Sequence, residues 1–205
     1  MSRATANTPL WLASRSPRRH VLLREAGVRV HVHPSAIDDA TLRPGRVSPA
    51  QWVMALAYLK ARSVRDALRE RGVGQGSVLG ADTVCVCDGR ILGQPTTPEA
   101  ARSMLLAMRG REHETITGLC VLSLAAGDRW MIVDRATVSV GPIGDDEIAR
   151  YLHSQQWRGK AGGYNLFDRI DAGWPIHCHG DPATVVGLPM QRLQPWLERL
   201  RVEAS

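Results

Sequence analysis

The sequence lacks the features that mark membrane-spanning and secreted proteins. No apolar run approaches the roughly 18 residues that a membrane-spanning helix requires. Residues 1–9 lack the apolar core of a signal peptide. We therefore expect a cytoplasmic protein that does not contact a membrane, with residues 1–9 forming a disordered tail.

Cysteine is also scarce, and its spacing is not that of a disulfide or zinc framework. The chain has four cysteines, Cys85, Cys87, Cys120 and Cys178, and no CxxC pair. This pattern favours reduced, buried thiols. Two histidine pairs, His31 with His33 and His177 with His179, would each share one face of a strand. They could bind zinc, but solvated or structural histidines are the preferred interpretation.

Side chains and charge runs that bind nucleic acids are few. The chain has one Phe and three Tyr for stacking against bases, and its basic residues form no long run. The formal net charge of +6 still attracts ligands that carry phosphate groups. Charge alone does not separate nucleotides from nucleic acids, but the other two observations argue against a nucleic-acid partner.

What is present indicates a globular α/β protein. The 205 residues, of which 44% are hydrophobic and 22% charged, suit one domain or one domain with two lobes. Apolar patterns predict strands at 10–13, 28–32, 78–86, 91–92, 116–124 and 131–140. They predict helices at 17–26, 144–153 and 189–200, and two more that open at Ser48-Pro49 and Thr97-Pro98. The alternation predicts a mixed, twisted sheet with flanking helices, and residues 154–187 are predicted to be a glycine-rich functional loop.

The first chemical pattern lies where the strand at 10–13 meets the next helix. Ser14 and Ser16 stand there beside Arg18 and Arg19. The free N–H groups and positive dipole end of a helix attract anions, and Arg offers paired donors to phosphate oxygens. The pattern predicts a phosphate site, although a capped helix with solvated arginines fits it equally well.

Two further patterns carry a carboxylate and a lysine. Asp82 ends an apolar strand, at the edge where open α/β sheets bind ligands, and could hold Mg²⁺ or activate water. Taken alone, this motif favours an Asp that caps a turn. Lys160 lies in a glycine-rich segment that could approach a phosphate closely, or that could be a flexible surface loop.

Taken together, these segments resemble the Maf family of nucleoside triphosphate pyrophosphatases, the septum formation proteins. The resemblance rests on LASRSPRR at 12–19, KA at 60–61, GADT at 80–83, ILG at 91–93 with Pro95, GREH at 110–113 with TG at 117–118, KAGGY at 160–164 and VVGLP at 185–189. It covers roughly residues 10 to 190.

The resemblance implies a Maf/ITPase-like fold, a single two-lobed domain over residues 1–205 with a central cleft, commonly as a homodimer. It implies hydrolysis of a nucleoside triphosphate to the monophosphate and pyrophosphate with Mg²⁺ or Mn²⁺. Asp82 would be the catalytic proton acceptor, and Asp39 and Asp82 would bind the metal. The implied substrate-binding residues are Ser14, Ser16, Arg18, Arg19, Asp39, Lys60, Thr83, Gln94, Lys160 and Phe167.

The chain departs from the family pattern at several positions. Gln94 replaces the usual Lys, Gln156 replaces a Glu four residues before Lys160, and Phe167 replaces a Gln linked to base choice. Arg18 is typical of the subgroup that acts on dTTP and UTP. Because a cation and a carboxylate are lost, the alternative to an enzyme is a weakened nucleotide- or nucleic-acid-binding regulator of cell division.

Overall fold

The computed structural model describes residues 8–125 and 127–203. The strands are β1 (Leu10–Leu12), β2 (His31–Val32), β3 (Ser77–Cys87), β4 (Arg90–Leu92), β5 (Arg111–Ser123), β6 (Arg129–Val140) and β7 (Ile176–His179). The helices are α1 (Pro17–Glu25), α2 (Pro49–Glu70), α3 (Pro98–Met108), α4 (Asp145–His153), α5 (Leu166–Asp171), α6 (Pro182–Val186) and α7 (Met190–Glu203). Single 3₁₀ turns occur at Asp39–Thr41 and Ala161–Gly163.

The strands form one mixed sheet, as the sequence predicted. Its order is β2-β1-β3-β5-β6-β7, and β4 pairs with β3 off this path. Strand β1 is parallel to both neighbours, and its Trp11 lies opposite His31 on β2 and Val78 on β3. Strand β4 is antiparallel to β3, and β7 is antiparallel to β6.

Local sequence signals set the ends of several elements. Ser48 and Gln51 form a capping box at the start of α2, where each side chain bonds the other residue's backbone N–H. Thr97 caps α3 by accepting a hydrogen bond from the N–H of Ala100. The turn from β3 to β4 holds Asp88 at φ 48° and Gly89 at φ 72°, the left-handed pair that a tight hairpin requires.

The described residues form two compact units. The first comprises the described parts of Met1–Asp82, Thr117–Asp134 and Gly187–Ser205. Its core has two apolar clusters, one around Leu12, Leu79 and Leu119 and one around Ala57 and Val64 of α2.

The second unit comprises Thr83–Ile116 and Arg135–Val186. One apolar cluster fills it, and Met108, Trp157 and Leu166 are among its most deeply buried side chains. The resemblance implied two lobes, and two units are present. The predicted single domain over 1–205 stays a prediction.

Some predictions about individual elements were wrong. Residues 154–187 are not one loop, because they contain α5, β7 and α6; these elements are too short for a periodic pattern to reveal them. Strand β5 begins at Arg111, whereas the sequence predicted a start at 116. The prediction missed the first residues of the strand because they are mostly polar. The expected strand at 28–32 is reduced to His31–Val32. Residues 1–7 of the predicted tail lie outside the described residues.

Two other expectations concern cysteines and membranes. All four cysteines are free, and Cys85, Cys87 and Cys120 are buried, as expected for reduced thiols. Within the described part of the chain, no helix is both long enough and apolar enough to cross a membrane.

Glycines let helix α2 lie unusually close to the sheet. A Cβ atom on Gly80 of β3 would collide with the carbonyl oxygen of Ala57 and lie 2.9 Å from the Cβ of Ala61. A Cβ atom on Gly118 of β5 would lie 2.7 Å from the carbonyl carbon of Val53. The backbone of α2 therefore packs directly on two strands, and only small residues fit at the contact.

We expect Gly80→Ala to lower the free energy of unfolding by about 1–3 kcal/mol, because the added methyl group forces α2 away from β3. Urea unfolding measures the change. The matched control is Gly74→Ala, where a Cβ meets nothing within 4 Å. The control should stay within about 0.5 kcal/mol of the parent. Equal stability of the two variants would contradict the close packing of α2.

Candidate active site

A lysine bridged by two aspartates forms the centre of the candidate site in the first unit. The Nζ atom of Lys60 lies 2.6 Å from an oxygen of Asp39 and 2.6 Å from an oxygen of Asp82. The side chains of Lys60 and Asp82 are 13% and 9% exposed, whereas that of Asp39 is 42% exposed. The structure thus brings together three residues that are 21 and 22 positions apart along the chain.

Each of the three side chains is positioned by a different element. Lys60 lies on α2 beside Ala61, which packs against Gly80. Asp82 follows Gly80 by two positions on β3, so the close approach of α2 brings the ammonium group to the carboxylate. Asp39 opens the 3₁₀ turn Asp39–Thr41, and the N–H of Thr41 bonds the carbonyl of Asp38.

The two carboxyl groups have pKa values shifted in opposite directions. Burial raises the pKa of Asp82 above its ordinary value, and the attraction of Lys60 and Arg19 offsets only part of that shift. Burial also acts on Asp39, but the hydrogen bond and charge of Lys60 outweigh it and lower the pKa of Asp39. Asp82 is therefore the stronger base of the pair, which suits a proton acceptor.

Arg19 ties three segments of the first unit together. Its Nε atom donates to the carbonyl of Gly187 at 2.8 Å, and Nη1 donates to the carbonyl of Ala81 at 2.9 Å and to Oγ of Ser14 at 3.1 Å. Burial lowers the pKa of Arg19. The sequence predicted Arg19 as a phosphate ligand, and that role stays a prediction. The observed contacts fix the backbone next to Asp82.

The start of α1 keeps the features that favour an anion. Ser16 precedes the helix and its side chain makes no capping hydrogen bond, while Pro17 follows as the first helical residue. The first turn contains no acidic residue. The Oγ atom of Ser14 accepts a hydrogen bond from the N–H of Ser16 at 3.1 Å, which orders the approach to the helix. Backbone N–H groups and Arg18 therefore lie where a phosphate group would be stabilised.

The donor atoms of this cluster suit a divalent ion. The carboxylates of Asp39 and Asp82 converge on one cationic group, here the ammonium of Lys60. Mg²⁺ is commonly held by one or two carboxylates together with substrate phosphates. No group of three or more His, Cys, Asp or Glu side chains that could hold a metal occurs within residues 8–125 and 127–203. The metal-binding roles assigned to Asp39 and Asp82 therefore stay predictions.

The second unit contains the predicted lysine. The Nζ atom of Lys160 lies 2.7 Å from an oxygen of Asp168 on α5. The sequence prediction missed Asp168, because no motif pairs this carboxylate with the lysine eight positions earlier. A sequence signal did exist, because Asn165 is a good cap and placed Asp168 in the first turn of a helix.

Hydrogen bonds hold the segment that follows Lys160. The hydroxyl of Tyr151 donates to the carbonyl of Gly163 at 2.8 Å, and the N–H of Gly162 donates to the carbonyl of Gly93 at 3.0 Å. Gly162 has φ 68°, and a Cβ there would lie 2.8 Å from Sγ of Cys85. Glycine is therefore required at 162, and the segment is not the flexible loop that the sequence left possible.

The remaining predicted residues of the second unit are Thr83, Gln94 and Phe167. Thr83 is half-buried and Gln94 is exposed. Phe167 is 45% exposed. Gln156 accepts a hydrogen bond from Arg169 at 2.7 Å. The substrate-binding roles assigned to Thr83, Gln94 and Phe167 stay predictions.

The structure places the histidine pairs at strands β2 and β7. The rings of His31 and Trp11 are in tilted contact, with centroids 4.6 Å apart, and His177 and His179 lie on β7 opposite Ser139 and Thr137. The described residues hold no cluster of the size that a zinc ion needs. The preferred interpretation, solvated or structural histidines, stays a prediction.

Comparison with known proteins supplies the family. The profile of the Maf family, described as Maf-like protein, matches residues 9–200. A dTTP/UTP pyrophosphatase of Moorella thermoacetica is 38% identical over 90% of this chain and 91% of its own length. A protein of the same name from Nitrosospira multiformis is 38% identical over 88% and 89%. A nucleoside triphosphate pyrophosphatase of Leifsonia xyli subsp. xyli is 36% identical over 95% and 94%.

Because the imidazole of His113 is buried against Tyr164, we expect the stability of the protein to depend on pH. Burial lowers the pKa of His113 to about 4, whereas a histidine in an unfolded chain titrates near 6.5. Between these values the unfolded chain binds more protons, so the free energy of unfolding falls as the pH drops from about 6.5 to 4. The loss attributable to His113 is up to about 3 kcal/mol and is absent above this window.

Denaturant unfolding at several pH values measures this effect. His113→Gln keeps a hydrogen-bonding group for the Tyr164 hydroxyl, 2.8 Å from Nε2 in the parent, but does not titrate. Its stability should fall less steeply with decreasing pH than that of the parent. The matched control, His153→Gln on the exposed end of α4, should follow the parent. Parallel curves for the parent and His113→Gln would contradict the prediction.

Proposed function

The chain belongs to the Maf family, and on this premise we propose that it hydrolyses dTTP and UTP to the monophosphate and pyrophosphate. Water adds to phosphorus, the anhydride bond between the α and β phosphates breaks, and one proton is released. The names of similar proteins support this substrate class. The observation that carries the proposal is the buried Asp82, joined through Lys60 to Asp39.

Binding of the triphosphate would begin at α1. Ser14, Ser16 and Arg18 surround the start of this helix, whose N–H groups and dipole stabilise anionic oxygens. Lys160 adds a second cation for the phosphate chain. These contacts do not depend on the base, so they bind all triphosphates alike.

Asp82 would accept the proton of the attacking water. The carboxylate is 9% exposed, and burial keeps competing solvent away from it. Lys60 orients the carboxylate from 2.6 Å, and Arg19 holds the neighbouring carbonyl of Ala81. Both contacts fix the acceptor before substrate arrives, which is the condition for efficient proton transfer.

Asp39 and Asp82 would hold the divalent ion, Mg²⁺ or Mn²⁺. When bound, such an ion neutralises phosphate charge and favours attack at phosphorus. Lys60 contributes a fixed positive charge to the same carboxylates, so it limits their mutual repulsion.

Base choice would depend on Arg18 and Phe167. The family resemblance implies that an Arg at position 18 is typical of the subgroup that acts on dTTP and UTP. Phe167 offers stacking and apolar contact, which discriminate poorly between bases. We therefore propose a modest preference for pyrimidine triphosphates.

The proposal also includes a cytoplasmic homodimer. A soluble triphosphate substrate and free thiols fit the cytoplasm, and homodimers are implied by the family resemblance.

The alternative, a regulator without catalysis, is favoured by Gln94 and Gln156. The intact cluster of Asp39, Lys60 and Asp82 favours the enzyme.

Asp82→Asn should reduce kcat by on the order of 10²-fold or more, because the amide cannot accept the proton. Release of pyrophosphate from UTP with Mg²⁺ or Mn²⁺ measures the rate. The matched control is Asp66→Asn, which changes a half-exposed carboxylate on α2, the helix that bears Lys60. Asp66→Asn should keep parental activity. Full turnover in a folded Asp82→Asn variant would remove Asp82 from the mechanism.

The substrate preference should appear as a higher kcat/KM for dTTP and UTP than for GTP and 7-methyl-GTP. Phe167→Gln should sharpen this preference, because a Gln side chain can make paired hydrogen bonds to a base edge. Stability should barely change, since Phe167 is 45% exposed. A lead for either guanine nucleotide would overturn the assignment of the base.

A further inference from the structure

Lys160 is a buried cation whose ammonium group is paired with a carboxylate. The residue is 9% exposed, and its ammonium group lies 2.7 Å from Oδ2 of Asp168. The Asp168 side chain is 48% exposed, so its charge also reaches solvent. In the part of the chain that the structure describes, Asp168 is the carboxylate within ion-pair distance of Lys160.

We propose that Asp168 is a positioning residue that orients Lys160 for the triphosphate and competes with the phosphate for its charge. The inference rests on the proposed function, in which Lys160 binds phosphate. An ammonium group can donate three hydrogen bonds, so it can hold a carboxylate and a phosphate oxygen at once. The carboxylate then fixes the ammonium and repels the incoming anion.

The backbone on both sides of the ion pair is held in place. The carbonyl of Lys160 accepts a hydrogen bond from Gly163 at 2.9 Å, and Tyr151 holds Gly163 in turn. Asn165 accepts a hydrogen bond from the N–H of Asp168 at 3.2 Å and so fixes the first turn of α5. The buried Leu166 anchors the same turn in the apolar core.

The side chain of Lys160 is the adjustable part of this arrangement. Its four-carbon stem allows more than one orientation of the ammonium group, and the ion pair with Asp168 selects one of them. Gln156, the neutral residue where the resemblance leads one to expect Glu, is engaged by Arg169 at 2.7 Å. The negative charge that holds Lys160 therefore comes from Asp168.

Loss of the carboxylate should produce two separable effects. In Asp168→Ala, the KM for UTP should fall about threefold to tenfold, because a nearby negative charge no longer repels the phosphates. The kcat value should fall about tenfold, because the ammonium group is no longer held in one orientation. A combined fall of KM and kcat is not expected from simple damage to the fold.

Two matched variants define the test. Asp171→Ala removes an exposed carboxylate three positions later on α5 and should leave KM and kcat unchanged. Asp168→Glu keeps the charge and should restore the parental KM. Unchanged constants in Asp168→Ala, or a raised KM, would overturn the proposal. The proposal would also be overturned if Asp171→Ala lowered kcat as much as Asp168→Ala does. The same holds if the fall in kcat of Asp168→Ala were explained by a lower thermal midpoint of unfolding.

Binding of inorganic pyrophosphate, measured by calorimetry, separates this inference from the proposed function. A parent protein that releases no pyrophosphate from any triphosphate would refute the function. Asp168→Ala should nevertheless bind pyrophosphate more tightly than the parent, and this gain should vanish when Lys160→Gln is added. An equal gain in the Lys160→Gln background would show that Asp168 acts without Lys160 and would overturn the inference.

Discussion

The close contact between α2 and β3 at Gly80 is the constraint on which the candidate active site depends. Because neither Gly80 nor Ala61 has a bulky side chain, the helix backbone reaches the strand. Lys60 lies next to Ala61 along the helix, and Asp82 lies two positions after Gly80 along the strand. A separation set by larger residues would move the ammonium away from the carboxylate, so packing and chemistry are fixed by the same few atoms.

The same region shows how a buried cation can act through the backbone. Arg19 joins Gly187, Ala81 and Ser14, which come from three distant stretches of the chain. Its donors bind carbonyl groups beside Asp82 as well as a hydroxyl near α1. Burying a guanidinium group requires that its donors be satisfied, so these contacts are costly to break. Arg19 therefore links the predicted phosphate loop to the predicted proton acceptor.

The second unit stabilises its lysine by other means. An apolar cluster and a hydrogen bond from Tyr151 fix the segment after Lys160, and a carboxylate on a short helix orients the ammonium group. In both units a lysine is paired with aspartate at 2.6–2.7 Å. In the first unit two carboxylates share the lysine, and the pKa of Asp82 is raised whereas that of Asp39 is lowered. In the second, one half-exposed carboxylate pairs with the lysine.

The sequence by itself determined the family, the mixed α/β sheet and the approximate ends of most elements. It also predicted Asp39, Lys60, Asp82 and Lys160 as site residues, because caps, periodicity and short motifs are local in the chain. It did not reveal α5, β7 and α6, whose few residues carry no periodic signal. Only the tertiary structure decided that Lys60 bridges two aspartates, that Arg19 is buried against carbonyls, and that Asp168 holds Lys160. Each of these contacts joins atoms set by packing across the fold, and packing distances are not encoded in sequence spacing.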